Sequence, residues 1–181
     1  MTEPTALGEK AGELRRRFDA SFALPLSAGA AESEDLLNVR VGEQGFAIRL
    51  RDIAGLFSRR VIVPIPSRVP GVLGLAGIRG EVVPVFGLSG LLGLGQETEP
   101  PGWLVLSVPP QPIALAFPAF EGFVRLPQRS LHGGHRDSAP QPYLHEFITT
   151  GAETRAVISV PLLVSTIRSR LRPDGPNAKE Q

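Results

Sequence analysis

The 181-residue chain contains no cysteine, which excludes disulfides, thiolate metal ligands and a cysteine nucleophile. It also has no surplus of one charge, because 19 lysine and arginine residues face 18 aspartate and glutamate residues and leave a formal net charge of +1. Attraction to nucleic acid depends on clustered excess lysine and arginine. We therefore expect no nucleic-acid partner.

Long hydrophobic runs are missing as well. The longest apolar stretch, residues 69–78, contains Pro70 and several glycines, and it is far shorter than the roughly 20 residues that cross a bilayer as a helix. The first ten residues lack the basic segment and apolar core of a secretory signal. These absences predict a cytoplasmic protein without direct membrane insertion.

Catalytic motifs are scarce. No serine lies in a Gly-x-Ser-x-Gly elbow, and no Gly-x-x-x-x-Gly-Lys phosphate loop occurs. His132, His135 and His145, with Asp137 nearby, are the best candidates for a zinc site. Because His132 and His135 flank two glycines, we expect solvated loop histidines instead. The sequence predicts no catalytic residue, no metal and no cofactor.

Glycine and proline are abundant, with 20 and 18 residues. From Leu36 onwards they separate short apolar runs rich in valine and isoleucine, the pattern of many short strands joined by tight turns. Residues 42–45 and 79–80 are the clearest hairpin turns. Short helices are predicted after Leu88 and at Pro161, which suits the first turn of a helix.

The ends differ from this pattern. Residues 1–35 are predicted to be a tail that contains a short amphipathic helix, Glu9–Phe22, and a linker. We expect this helix to pack on the rest of the chain, with partner recruitment or disorder as the alternatives. Residues 173–181 are predicted to be a flexible tail.

An internal repeat divides the region between the ends. FAIRLRDIAGLF (residues 46–57) aligns without a gap over IALAFPAFEGFV (113–124), and EVVPVFGLSGLL aligns over RAVISVPLLVST after extra residues in a polar loop. We therefore predict two copies of a five-strand, one-helix unit, at about 36–95 and 103–172. Each copy is the size of a small barrel that closes its own edges.

The stretch VLGLAGIRGEVVPVFGLSGLLGL, residues 72–94, resembles the signature of CheW-like domains. With the repeat segments, the resemblance covers about residues 36–172. It implies an all-β fold of two packed five-stranded SH3-like β-barrels without catalytic activity. It also implies a bacterial scaffold that couples the regulatory domain of a chemosensory histidine kinase to the cytoplasmic hairpin tip of chemoreceptors.

In the family, the receptor tip docks in a groove between the barrels. The matching positions here are Ile53, Gly55, Leu56, Gly74, Arg79, Phe120 and Phe123. Such a groove needs exposed apolar side chains and a charged group that fixes register. Arg79 suits that role because its planar guanidinium can pair with a carboxylate; the alternative is a hairpin-end arginine that packs its stem on the sheet.

Several signature positions depart from the family pattern. Gly77 replaces an asparagine, Ile78 replaces a leucine, Gly55 and Gly87 replace acidic residues, and Pro118 replaces an aspartate. Each change to glycine or proline removes a side chain that could bond to a partner. The chain thus resembles a divergent member with an accessory role. A second hypothesis stays open, namely an SH3-like interaction module or small-ligand binder that kept the fold and lost standard coupling.

Overall fold

The computed structural model describes residues 33–95, 100–110, 112–133 and 141–171. These residues form twelve strands and two α-helices. The strands are β1 Ser33–Val41, β2 Gln44–Arg49, β3 Ile53–Ser58, β4 Ile62–Val63, β5 Val72–Ile78, β6 Glu81–Gly87, β7 Trp103–Ser107, β8 Ala114–Phe117, β9 Ala119–Pro127, β10 Leu131–Gly133, β11 Glu146–Thr150 and β12 Glu153–Ile158; the helices are α1 Leu88–Leu91 and α2 Val160–Leu171. The predicted helix Glu9–Phe22 and the tail 173–181 lie outside the described residues.

The strands form two sheets. Sheet A has the order β10-β11-β12-β2-β1-β9, and sheet B has the order β3-β7-β8-β6-β5-β4. The mainly β fold with two β subdomains is confirmed, but each sheet has six strands rather than five. The additional strands are the very short edge strands β10 and β4. Pro64 follows β4 at once, and proline cannot donate a ladder hydrogen bond, so this strand stays short.

The repeat is present in the topology, because β1–β6 with α1 correspond in order to β7–β12 with α2. Sheet A combines the hairpin β1–β2 of the first copy with β9–β12 of the second, and sheet B combines β7–β8 with β3–β6. Parallel pairs, β2 with β12 and β6 with β8, join the copies. The segments 36–95 and 103–172 therefore describe the copies of the repeat, whereas each sheet draws on both. The expectation that each copy closes its own edges is wrong.

The hairpins β1–β2 and β7–β8, each of which pairs with strands of the other copy, lie between the two subdomains. In β1, Leu37 and Val39 are fully buried in a central core, while Leu36 enters a smaller core inside sheet A. In β8, Leu115 points to the central core and Ala116 to a smaller core inside sheet B. Because successive strand side chains point to opposite faces, one hairpin serves two cores at once. Burial of each large aliphatic side chain contributes roughly 1.5–3 kcal/mol.

Helix α2 closes the central core, as its sequence predicts. Val160, Leu163, Val164 and Ile167 are buried at the spacing of one helical face. Tyr143, only 2% exposed, donates a hydrogen bond from its hydroxyl to the carbonyl oxygen of Leu91 at the end of α1. The two copies are thus joined by side chains as well as by strands.

Candidate docking surface

The turn between β5 and β6 carries Arg79. Pairing of Ile78 with Glu81 leaves Arg79 and Gly80 as the two turn residues, and both have positive φ angles, 53° and 83°. This matches the twist of a two-residue hairpin, but a left-handed conformation is uncommon for arginine. Two contacts of its side chain offset the strain. Nη2 donates a hydrogen bond to the carbonyl oxygen of Ala54 at 3.0 Å, and Cζ lies 5.5 Å from the ring centroid of Phe57.

The acceptor oxygen is available because β3 has a bulge at Ala54. Ile53 pairs with Ser107 and Gly55 with Leu106, which leaves Ala54 as the extra residue outside the regular ladder. The second copy has a bulge at the equivalent place in β9, where the extra residue is Glu121. The sequence repeat thus extends to the irregularities of the strands.

Gly55 lies directly beneath this contact. A Cβ atom at Gly55 would be 3.0 Å from the Phe57 ring and 3.2 Å from Nη2 of Arg79. The departure from the family pattern at this position therefore makes room for the packing of Arg79 on Phe57. Sequence reasoning missed Phe57 and also Arg60, whose Cζ lies 5.4 Å from the same ring centroid. An aromatic residue two positions after the glycine was the available signal.

An exposed apolar face lies on the outside of sheet B. Val61, Val63 and Val82 are 80%, 58% and 72% exposed. Val82 pairs with Gly77, which is also exposed, and a Cβ at Gly77 would meet nothing within 4 Å. Val61, Val63, Gly77 and Val82 are called the outer valine face below. The alternation in EVVPVF was the missed signal, because Val83 and Val85 point inwards and Val82 must then point outwards.

Gly74 has a different position from the one predicted. It is buried, its φ is 150°, and a Cβ there would lie 2.1 Å from the carbonyl oxygen of Val63. Glycine at this bulge lets β4 approach β5 closely. Gly74 therefore supports the outer valine face from behind and offers no side chain to a partner.

The remaining predicted residues lie elsewhere. Phe120 contacts Phe123 with ring centroids 5.0 Å apart, and Trp103 of sheet B lies 5.3 Å from Phe120 of sheet A. Phe123 is 62% exposed at the outer end of this aromatic ladder, defined by Trp103, Phe120 and Phe123. Ile53 and Leu56 are partly buried and pack on the central core. The predicted set thus divides between the Arg79 turn, the aromatic ladder and the core.

The two exposed regions differ in charge balance. Near the ladder, Arg125 donates two hydrogen bonds to Asp35 and holds the pKa of that carboxyl below its usual value. Burial opposes ionisation of Glu121, but hydrogen bonds from Arg155 and Arg40 prevail and lower its pKa. Within the described residues, no acidic group lies within 4 Å of the Arg79 guanidinium.

The two histidines in the described part of the chain, His132 and His145, belong to no group that could bind a metal. His132 is exposed in β10, and Nδ1 of His145 lies 3.2 Å from the carbonyl oxygen of Pro142. His135 and Asp137 lie outside the described residues. In the described part of the chain, no three histidine or acidic side chains form a group that could bind a metal. Nor does that part contain a helix long and apolar enough to cross a membrane.

Comparison with known proteins agrees with this architecture. The family model described as the CheW-like domain matches residues 35–167. The fold is similar to the crystal structure of the scaffolding protein TtCheW from Thermoanaerobacter tengcongensis, with a TM-score of 0.66 and 15% sequence identity over 83% of this chain and 98% of that chain. Among curated proteins, none matches this sequence.

Proposed function

The chain belongs to the CheW-like domain family, and we propose from this premise that it is a non-enzymatic scaffold of bacterial chemosensory signalling. In this role it couples the regulatory domain of a histidine kinase to the cytoplasmic hairpin tips of chemoreceptors. A cytoplasmic location follows from the proposed role, since those partners lie on that side of the membrane.

One observation carries the proposal, namely the outer valine face beside Arg79. The exposed valines lie on neighbouring strands, because β4, which contains Val63, and β6, which contains Val82, both pair with β5. A contiguous exposed apolar patch is typical of a docking surface, whereas single scattered apolar residues are not. Arg79 stands at the turn that ends β5, and its hydrogen bond to Ala54 fixes the direction of its guanidinium. A helical hairpin that docks there would bury its apolar face on the valines and meet one oriented cation.

The aromatic ladder is the second surface that we assign to a partner. Phe123 and Phe120 provide aromatic area at the edge of sheet A, of the kind enriched in protein interfaces. Ile53 and Leu56 would contribute only their exposed fractions. We propose that the receptor tip docks on the outer valine face beside Arg79, rather than in the groove between the barrels that the resemblance implies. The kinase regulatory domain then uses the aromatic ladder, so that both partners can bind at once.

The alternative function, an interaction module without standard coupling, is favoured by Gly55 and Gly77. Both lie at the docking surface, and both lack the side chain that the family pattern places there. The other two departures lie away from it. Gly87 is buried and donates its N–H to the carbonyl oxygen of Gly71 at 2.8 Å, and Pro118 is half-buried beside Gly102. Relative to the family pattern, the docking surface therefore lacks two side chains that could contact a partner, rather than four.

The test is calorimetric binding of the purified chain to the kinase regulatory domain and to a soluble receptor-tip fragment of the same organism. We expect both partners to bind, and we expect Val82→Asp to weaken binding of the receptor tip by roughly tenfold or more at an unchanged melting temperature. Arg79→Glu should weaken it at least as much and should also lower the melting temperature by roughly 2–4 °C, because its contacts with Ala54 and Phe57 are lost. Leu162→Asp is the matched control, because Leu162 is 42% exposed and lies on α2, which contributes no residue to either surface. Binding of neither partner would favour the alternative function.

A further inference from the structure

We infer that the docking surface selects an acidic partner, because Arg60 and Arg79 form a cationic pair on the ring of Phe57 that no described residue neutralises. This inference rests on the proposed function and names the chemistry of the partner at that same surface. The feature depends on Arg60 and on the glycine at position 55.

Arg60 and Arg79 both contact the ring of Phe57. The guanidinium carbons of Arg60 and Arg79 lie 5.4 Å and 5.5 Å from the Phe57 ring centroid, within the range of a cation–π contact. Both residues are exposed. The backbone before Arg60 is fixed as well, because Arg59 has a φ of 47° and donates its N–H to the carbonyl oxygen of Gly102 at 3.0 Å.

Among the described residues, no acidic side chain neutralises Arg60 or Arg79. Five other described arginines have carboxylate partners: Arg40 and Arg155 with Glu121, Arg49 and Arg51 with Glu34, and Arg125 with Asp35. Within the same described ranges, neither Arg60 nor Arg79 has an acidic oxygen within 4 Å, although the exposed Glu81 follows the turn. The pair therefore presents its charge to the solvent.

Glycine at position 55 leaves the guanidinium of Arg79 available to a partner. An acidic side chain at this position, as in the family pattern, would start from a Cβ only 3.2 Å from Nη2 of Arg79. It would compete with the partner for the guanidinium and partly cancel its charge. With glycine there, the Phe57 ring fills the space and both guanidinium groups stay available.

The free donors of Arg79 indicate the chemistry of the partner. Arg79 donates one of its two Nη2 hydrogens to Ala54. The other Nη2 hydrogen lies beside a hydrogen of Nε or Nη1, and such a pair can bind a carboxylate with two parallel hydrogen bonds. The outer valine face begins at the next residue along the chain, since Val61 directly follows Arg60 and is 80% exposed. The matching partner is a protein segment that has apolar residues flanked by aspartate or glutamate.

Binding of the receptor-tip fragment to Arg60 variants tests the inference. We expect Arg60→Ala to weaken binding by roughly two- to fivefold, as for an interaction at an interface rim, and Arg60→Glu to weaken it by roughly tenfold or more. The loss should shrink as salt is raised, because exposed charges are screened. Arg129→Glu is the control, since Arg129 is an exposed arginine beyond β9, and it should leave binding within about twofold.

A charge exchange identifies the acidic residue. The exposed acidic residues of the receptor tip are replaced by arginine one at a time. We expect one of these substitutions to weaken binding to the unmodified chain and to restore binding to the Arg60→Glu variant. If Arg60→Glu binds as tightly as the unmodified chain while Val82→Asp fails, the inference is wrong and the proposed function stands. If the unmodified chain does not bind the tip at all, both are wrong.

Discussion

Arg79 and Ala54 lie near opposite edges of sheet B, yet Nη2 of Arg79 donates a hydrogen bond to the Ala54 carbonyl oxygen at 3.0 Å. Sheet B must therefore curl until the β5–β6 turn meets β3. Strong curvature of this kind is typical of sheets with bulges, and both β3 and β5 have one. The contact fixes the direction of the arginine that we propose for docking, and it holds the β5–β6 turn against β3.

Substitution of Arg79 separates these two roles. Arg79→Ala should lower the free energy of unfolding by roughly 1 kcal/mol, because it removes an exposed hydrogen bond and a cation–π contact. Arg79→Gly should be less destabilising than alanine, since glycine accepts the φ of 53° without strain. Both variants should lose receptor-tip affinity equally. Urea unfolding and calorimetry on the same samples decide; equal stability of the two variants would contradict the turn geometry.

Gly74 and Gly77 form a matched pair within β5. Gly74→Ala should cost roughly 3 kcal/mol or more, because its Cβ would lie 2.1 Å from the carbonyl oxygen of Val63 and the backbone has a φ of 150°. Gly77→Ala should be neutral or slightly stabilising, since its Cβ meets nothing within 4 Å. Thermal unfolding of both variants is the measurement, and similar losses would argue against the position of β4.

Much of this fold could be predicted from the sequence. Short apolar runs between glycines and prolines indicate strands, and the repeat indicates two copies, because both signals are local. The exchange of hairpins between the copies could not be predicted. In β1, Leu36 and Leu37 are both buried. Consecutive apolar residues of this kind indicate that both faces of a strand are covered, but they do not indicate which strands lie beside it.

The site could be predicted less well. The signature of its turn singles out Arg79, and the repeat singles out Phe123; a docking role for either residue stays a prediction. Phe57 and Arg60 were missed because their importance depends on a bulge at Ala54 and on the curl of sheet B, neither of which leaves a local pattern. Gly74 was placed at the groove, although its role is to admit the backbone of Val63.

Asp52 should make stability depend on pH. Its side chain is 14% exposed, and burial raises its pKa above the usual 3.8, despite the attraction of Arg49 and Arg51. A raised folded-state pKa means that stability falls as pH rises from about 3.8 through the folded value. Asp52→Asn should remove this loss, so its melting temperature should exceed that of the unmodified chain at pH 8 and match it more closely at pH 3.5. A constant difference would contradict the account.

Arg49 is the centre of a buried ionic cluster. It is 8% exposed, and it contacts Glu34, itself 7% exposed, and Glu146. Arg49→Ala should cost roughly 3–5 kcal/mol, because it leaves the charge of Glu34 buried with only Arg51 beside it. A second substitution, Glu34→Gln, should recover part of that loss in urea unfolding. If Glu34→Gln lowered the free energy of unfolding by the same amount in the Arg49→Ala variant as in the unmodified chain, the two side chains would be independent, and the account would be wrong.

Coupling itself is the central claim, and size-exclusion chromatography of a three-component mixture tests it most directly. The kinase regulatory domain and the receptor-tip fragment are mixed with and without this chain. We predict one complex that contains all three proteins, that requires the chain, and that loses only the receptor tip when Val82→Asp replaces the unmodified chain. Mutually exclusive binding of the two partners, or a complex that forms equally well without the chain, would contradict the scaffold role.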